Sequence, residues 1–533
     1  MKKTMKQHSF TAQLKSLAVV FGLALAFTSC ANDNLAQSGT MPTDDKGLTT
    51  FSTGAPTTRT TMDADGTFYW EAGDKIYVKD DDGNWNASSN APTGKTASFK
   101  FMVPGKYTAH NSYEVYYPGK NGSNDQVTIS AAQTQTEPNT TKHFGESGDC
   151  GMAKATRIGT NQQFSFTLDH KAAYLVFQPY TSNTILKKCY LTKIEVTSDN
   201  DIADTYTLNS TADTGAGALT GTGSGRLIEL TTKGSGSYAN GFPLTNNSAS
   251  LTTNGAYMVI KPGTHTLRIR YWVKDNATNV EGTITKIIAS HNFAKNEYVN
   301  ITANLDVKNY DGDNYYMWDA QDQYWKGYEW TKHLPSGTGQ PTLTGQPAGN
   351  YPQSNTDSRY YNEAFTYGAD NKATHTSCKD LPNANEMSWY CLKGQPVWDD
   401  DELWTTMNHL YKGGMWFLKR DKISGYSKEH TYDGTDWRVT GKHENNNNPI
   451  RMRVFPIITI SPAEANNYFY LPALGCYYNG TLNDIGEFGY FWSSSAYSKD
   501  GLYAYVFMFD KHSVYLVRDT KRILGARTDL WFK

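Results

Sequence analysis

Cysteine is scarce in this 533-residue chain: six residues, Cys30, Cys150, Cys189, Cys378, Cys391 and Cys476, with no CxxC pair. That scatter excludes the spacing of a zinc ribbon or redox motif, and removing Cys30 leaves an odd number, unsuited to a complete disulfide framework. Charge of one sign is also lacking. With 50 Lys and Arg against 52 Asp and Glu, the formal net charge is −2. No nucleic-acid or anionic-surface partner is implied. Past residue 30 there is no apolar run long enough to cross a bilayer, and before residue 307 almost no helical periodicity. HExxH, GxSxG and Walker motifs are absent, and His409 and His443 stand without metal-ligand spacing. No metal and no cofactor is therefore expected.

What is present begins at the amino end. Lys2, Lys3, Lys6 and Lys15 precede an apolar run from Leu17 to Phe27, then Thr28, Ser29 and Cys30. The run is too short for a mature membrane helix and fits the h-region of a secretory signal over residues 1–29. Small residues before a cysteine resemble the bacterial lipobox, which implies acylation of Cys30 and an outer-membrane, surface-exposed address. Residues 30–58 are rich in Asn, Asp, Ser, Thr and Gly, the composition of a flexible tether or pro-segment.

Aromatics are abundant, at 13% with 36 Tyr and 13 Trp, and accompany plentiful Thr, Ser and Gly. That mixture predicts strands and turns. Only Trp70, Trp85 and Trp272 precede residue 307, so a domain boundary is expected at Val307 to Asp313. Before it, strands are expected at Thr67 to Trp70, Lys75 to Val78, Phe164 to Leu168, Tyr174 to Phe177, Leu191 to Val196, Tyr257 to Ile260, Leu267 to Val273 and Tyr298 to Leu305. Asp80 to Asn84 reads as a turn. Many short strands separated by turn residues indicate β-sandwiches, here residues 59–180 and 181–307.

Four segments carry a resemblance: Thr58-Arg59-Thr60, Trp70-Glu71-Ala72-Gly73-Asp74, Leu168 to Leu175 (LDHKAAYL), and Asn296 to Thr302 (NEYVNIT). In this order, behind a lipoprotein signal, they resemble the fimbrillin-like pilin family of Bacteroidales. The resemblance implies two sandwich lobes and assembly with other fimbrial subunits by strand exchange. In that process a protease removes an N-terminal strand and a neighbour's strand fills the groove. Arg59 is the only arginine before the first predicted strand, hence the candidate maturation site. It could equally be an ordinary residue of that strand.

From residue 310 the texture changes. One helix is expected, Asp399 to Tyr411. Asp399, Asp400, Asp401 and Glu402 would sit at its positive end, Leu403, Met407, Leu410 and Tyr411 on one face, and Gly413-Gly414 at its stop. A calcium site at the acidic run is the alternative. Asn383 to Tyr390, Gly413 to Phe417, Tyr468 to Gly475 (YFYLPALG), Gly489 to Ser495 (GYFWSSS) and Ala504 to Phe509 follow in order. Together they resemble the C-type-lectin-like fold of bacterial variable proteins, shared with formylglycine-generating enzymes and the Fibrobacter paralogous-domain family, over residues 310–533. The finish departs from that pattern at Gly525-Ala526-Arg527. The fold class expected is mainly β, two sandwich lobes followed by an α+β domain.

In several such proteins the end of the domain is rewritten at template adenines by a retroelement. Asparagine, common elsewhere, is absent after Asn483. Positions open to such diversification are Tyr497, Asp500, Tyr503, Val506, Asp510, His512, Tyr515, Val517, Asp519, Thr520, Ile523 and Leu524. Alternation along the strand adds Met508 to the face carrying Val506 and Asp510, opposite Tyr505, Phe507 and Phe509. Tyr, Asp and His on a rigid scaffold suit an adaptable binding surface. The expected function is a fimbrial tip adhesin for an unknown protein or glycan receptor. A tip position is expected because the end that a stalk subunit would donate carries another domain. The alternatives are a stand-alone lipoprotein receptor and an enzyme of the formylglycine-generating type. The second is disfavoured because Cys476 is the only cysteine near the end.

Overall fold

The computed structural model describes residues 47–53, 61–62, 68–277, 279–310, 312, 314–328, 350–363, 372–407, 409–442, 455–456 and 464–529. Cys30 and Arg59 lie outside the described residues. The chain divides into two compact units. One takes the residues through Tyr180, Lys193–His265 and Ser290–Asn304; the other takes Thr181–Thr192, Thr266–Ala289 and Leu305 onward. The chain is mainly β, as its composition predicts.

In the first unit, β1 (Leu48–Thr53) lies between β2 (Lys100–Pro104), antiparallel, and β3 (Gln163–Phe166), parallel. Residues 48–53 belong to the stretch whose composition predicts a flexible tether, and here that reading is corrected. A single phenylalanine explains why. Phe51 is opposite Phe101 on one neighbour and Phe164 on the other, so three rings share one row across three strands. Phe51 and Phe164 stack at 5.0 Å, and Trp70 meets Phe101 edge-on at 4.9 Å. Burying one such ring contributes about 2–3 kcal/mol. Thr50 and Ser52 alternate to the other face, while Thr49 shares the face of Phe51 and is buried with it. The Trp-Glu-Ala-Gly-Asp motif anchors the same core. Trp70 is fully buried, Gly73 turns at φ +84, and Asp74 accepts from the Glu71 amide (2.7 Å) and the Tyr117 hydroxyl (3.0 Å).

A second sheet centres on β4 (Ala173–Tyr180), whose continuous apolar run is covered on both faces. It pairs antiparallel with β5 (Ala256–Ile260). The long strands β6 (Gly263–Lys274) and β7 (Glu281–Phe293) follow, each with residues in both units. Then β8 (Tyr298–Asn304) pairs parallel with β4. This sheet brings two distant motifs together. The Asn296 amide donates to Ala172 (2.7 Å), the Tyr174 amide to Glu297 (3.0 Å), and the Tyr174 and Tyr298 rings stack at 4.5 Å. Buried Asp149 accepts from the Tyr174 hydroxyl (2.5 Å) and pairs with His170 Nδ1 (2.9 Å), so two polar side chains of LDHKAAYL are held on one buried carboxylate.

In the second unit, β9 (Tyr315–Tyr316) opens the chain's last sheet. The clearest helix is α1 (Ala384–Lys393), closed by a reciprocal capping box between Asn383 and Glu386. The helix expected over Asp399 to Tyr411 is instead a hairpin of β10 (Val397–Thr406) and β11 (His409–Leu418). Its acids cap nothing. A register shift between Asp399 and Leu403 absorbs the run. Asp399 accepts from Arg270 (3.0 Å), from Trp416 Nε1 (3.1 Å) and from the Asp401 amide (3.0 Å). Glu402 accepts from the Thr285 hydroxyl at 2.7 Å. The calcium alternative fails for the same reason: these oxygens already hold protein donors. The glycines read as a stop lie inside β11, where a Cβ on Gly414 would fall 2.4 Å from the Leu471 carbonyl of β12 (Tyr468–Pro472).

Loss of water, then the adjacent Asp399 charge, raises Glu402 to about 7. Between its unfolded value near 4.5 and 7, the folded chain keeps a proton the unfolded chain has lost, so this group's contribution falls as pH rises through that window. Glu402→Gln removes the titration. Its stability relative to the parent is expected to improve by roughly 1–2 kcal/mol between pH 5 and pH 8. Thermal melts at both pH values check this, and an unchanged difference contradicts it.

Candidate functional site

Three strands build the face that the alternation points to: β13 (Gly489–Ala496), β14 (Tyr503–Asp510) and β15 (Ser513–Lys521). With β9 and β16 (Ala526–Arg527) they form one sheet in the order β9-β16-β13-β14-β15. The departing Gly525-Ala526-Arg527 finish is therefore a strand, antiparallel to Tyr315-Tyr316. It is fixed by Arg527, which is fully buried, forks onto Asp529 (2.6 and 2.9 Å) and stacks over Tyr315.

The inner face is core. Phe491, Tyr505, Phe507, Phe509, Val514 and Leu516 are buried with Phe417 and Phe469. Gly489 is obligatory, since a Cβ would meet the Phe509 ring at 2.3 Å. The serines after Trp492 are fastenings. Ser495 Oγ accepts from the Ala384 amide at the start of α1 (3.0 Å), Ser493 O accepts from Trp318 Nε1 (2.9 Å), and Trp492 Nε1 donates to Tyr316 (2.9 Å).

The outer face runs in two cross-strand rows. Trp492, Val506 and Val517 form one; Tyr490, Met508 and Tyr515 form the other. They differ in depth. Val506 and Trp492 are buried with Trp318 and Cys378, whereas Tyr490, Met508, Tyr515 and Val517 are half-exposed. Val506 faces as predicted but is a core residue, and its assignment as a ligand contact is corrected. The reason is a second hydrophobic cluster beneath this half of the sheet, which period-2 reasoning cannot show. Tyr490 is the residue that reasoning missed. Carrying the alternation from β14 into Gly489-Tyr490-Phe491-Trp492 finds it. Its hydroxyl donates to Asp484 at 2.9 Å, which holds the ring in place over the sheet.

The remaining candidates lie at the ends. Asp510 accepts from the His512 amide (2.6 Å) at the hairpin tip, where His512 is exposed. Tyr497, Asp500, Tyr503, Asp519 and Thr520 gather at the other end. There Arg518 lies 5.1 Å from the Tyr497 ring, and Asp500 accepts from the Leu502 amide (2.9 Å). Ile523 lines a separate hollow of about 170 Å³ with Met317, Tyr324, Tyr351 and Tyr360, and Leu524 packs on the cluster around Trp492. The two ends of β14 stand roughly 24 Å apart, at about 3.4 Å per residue. One small ligand cannot touch both, so the arrangement suits a macromolecular partner. Among the described residues no group of His, Cys, Asp and Glu is placed to hold a metal ion.

Comparison with known proteins gives no matching family model and no matching curated protein. Among solved structures, a candidate cell adhesion protein from Bacteroides ovatus aligns at 14% identity over 48% of this chain and 93% of its own, TM-score 0.28. One from Bacteroides uniformis aligns at 16% over 50% and 94%, TM-score 0.27. The fimbrial anchor protein Mfa2 from Porphyromonas gingivalis aligns at 10% over 45% and 82%, TM-score 0.20. Likeness at that level assigns neither family nor function.

The buried row and the exposed hairpin tip make different demands on stability. Val506→Ala is expected to cost roughly 2 kcal/mol by opening a cavity, and His512→Ala to stay within about 0.5 kcal/mol of the parent. Urea unfolding followed by fluorescence separates them; equal, small effects contradict the division.

Proposed function

We propose that the chain is a surface adhesin of a bacterial fimbrium. It is exported and lipidated at Cys30, matures by cleavage after Arg59, accepts a neighbour's strand in its first unit, and binds a receptor through the outer face of β13–β15. The placement of β1 carries this reading. It is the strand that precedes Arg59 in the chain, and it is paired on both sides inside a sheet. Removing it exposes the backbone donors and acceptors of β2 and β3 and a slot the size of Phe51. An incoming strand with an apolar residue at that register restores both, which is β-augmentation. At the other end of the first unit, β8 is paired along β4 over seven residues and runs on into the second unit. A subunit built this way accepts a strand without offering one, consistent with a tip position.

A non-enzymatic role fits the thiol chemistry. Cys476 is buried, and burial raises its thiol well above the ordinary range, leaving little thiolate for attack. The receptor is proposed to be macromolecular, a protein or an extended glycan, engaged by Tyr490, Met508 and Tyr515 at the centre and by variable residues at the hairpin ends. Aromatic rings held by packing cost little entropy on binding. Met508 between two tyrosines supplies a polarisable, adaptable contact.

Arg59→Ala tests the assembly step in the producing cell. The parent is expected to begin at Thr60 and to run with other subunits as a ladder in unboiled detergent gels. The variant is expected to keep its lipid and run as a monomer. A variant that enters the ladder as the parent does, or a parent that is only ever a lipidated monomer, contradicts the reading.

A further inference from the structure

The hollow that Ile523 lines, about 170 Å³, lies within the second unit and is open to solvent on one side. It is smaller than the roughly 300–1,000 Å³ of drug-sized pockets, so it admits one ring of a larger ligand. Its walls are set by packing. Tyr324 is fully buried, stacks on Tyr477 at 5.1 Å and meets Trp325 edge-on at 5.3 Å. Tyr360 lies against Tyr361 at 4.7 Å. Asn479 is at the turn that joins Cys476–Tyr478 to Thr481–Asn483. Asn479 at φ +49 and Gly480 at φ +76 form the left-handed pair that a two-residue hairpin turn requires. The Gly480 amide donates to the Tyr324 hydroxyl (3.0 Å), which pins that turn to the wall.

Met317, Pro352 and Ile523 give the lining apolar surface, and half-buried Tyr351 and Tyr360 give it rings and hydroxyls. Gln353 is already engaged, and the Tyr324 hydroxyl serves the turn. The Tyr351 and Tyr360 hydroxyls and the Asn479 carboxamide are different: among the described residues they hold no hydrogen bond. No Lys, Arg, His, Asp or Glu is among the described residues that line the hollow. A charged ligand would find no counter-charge there. An apolar side chain would cover the uncommitted hydroxyls and carboxamide and leave them without partners. A neutral ring with hydroxyls on its rim and C–H groups on its faces meets both demands. Asn479 offers a donor and an acceptor together, each tyrosine hydroxyl serves as either, and the aromatic wall takes the C–H surface.

We propose that this hollow binds one neutral hexopyranose unit of a glycan. Asn479, Tyr351 and Tyr360 bond its hydroxyls, and the C–H face of the sugar lies against the aromatic wall. Ile523 borders the same ring and limits the substituents that fit. The site lies within one unit and is independent of strand exchange and of the β13–β15 face.

Titration of the full chain with the methyl pyranosides of glucose, galactose and mannose, with sodium glucuronate and with cyclohexanol, read by calorimetry and by saturation-transfer NMR, tests it. At least one of the three neutral glycosides is expected to saturate in the millimolar range, with glucuronate and cyclohexanol each at least roughly tenfold weaker. Asn479→Gly keeps the turn and removes the carboxamide; Tyr360→Phe keeps the ring and removes the hydroxyl. Each is expected to lose roughly fivefold or more in affinity for that glycoside. Near-UV circular dichroism confirms that each variant is folded; should one unfold, the other decides alone. No saturation by any of the three glycosides at about 50 mM, glucuronate or cyclohexanol binding as tightly, or an unchanged affinity in either folded variant each overturns the assignment.

Discussion

Every backbone N–H and C=O inside a sheet needs a partner on each side, and in the first unit that requirement falls on six residues. Leu48–Thr53 is the bridge between Lys100–Pro104 and Gln163–Phe166. Among the described residues the hydrogen-bonded order runs from Gln163–Phe166 to Leu48–Thr53 to Lys100–Pro104, so the ladder between those two neighbours passes through it. Phe51 completes the aromatic row of the same core. The segment is therefore indispensable to the sheet in its present form, while being covalently tied to the rest through a stretch that contains Arg59. Under the proposed cleavage after Arg59, a strand so placed would be structural before the cut and replaceable after it.

The sequence reading succeeded where the hydrophobic signal was local. Tyr174 to Phe177 is a strand with a continuous apolar run, and Leu267 to Val273 is one in which Leu267, Ile269, Tyr271 and Val273 recur at every second position. It failed where the deciding partner was remote. In Asp399 to Tyr411, four acids followed by Leu403, Met407 and Leu410 fit a helix. The run instead folds as a strand because Arg270, Trp416 and Thr285 supply its acids with donors from other strands. Leu48–Thr53 has the composition of a linker, and only the two phenylalanines it meets make it a strand. The missed helix had a legible sign: Asn383 and Glu386 stand three apart, the spacing of a capping box.

The candidate binding face was legible in direction but not in depth. Alternation placed Val506, Met508 and Asp510 together, and their side of the sheet is as expected. Whether a residue on that side reaches solvent depends on Trp318 and Cys378, more than 120 residues earlier in the chain, which cover Val506 and leave Met508 half-exposed.

The central claim, that β1 is an exchangeable strand, is tested most directly by refilling its place. The chain is cut at Arg59 by an arginine-specific protease, the released segment is removed in mild denaturant, and a fluorescent peptide of residues 46–54 is titrated into the refolded remainder. Saturable binding with slow dissociation to the cut chain, and none to the uncut chain, is the predicted result. A cut chain that neither binds the peptide nor differs from the uncut chain would contradict the account.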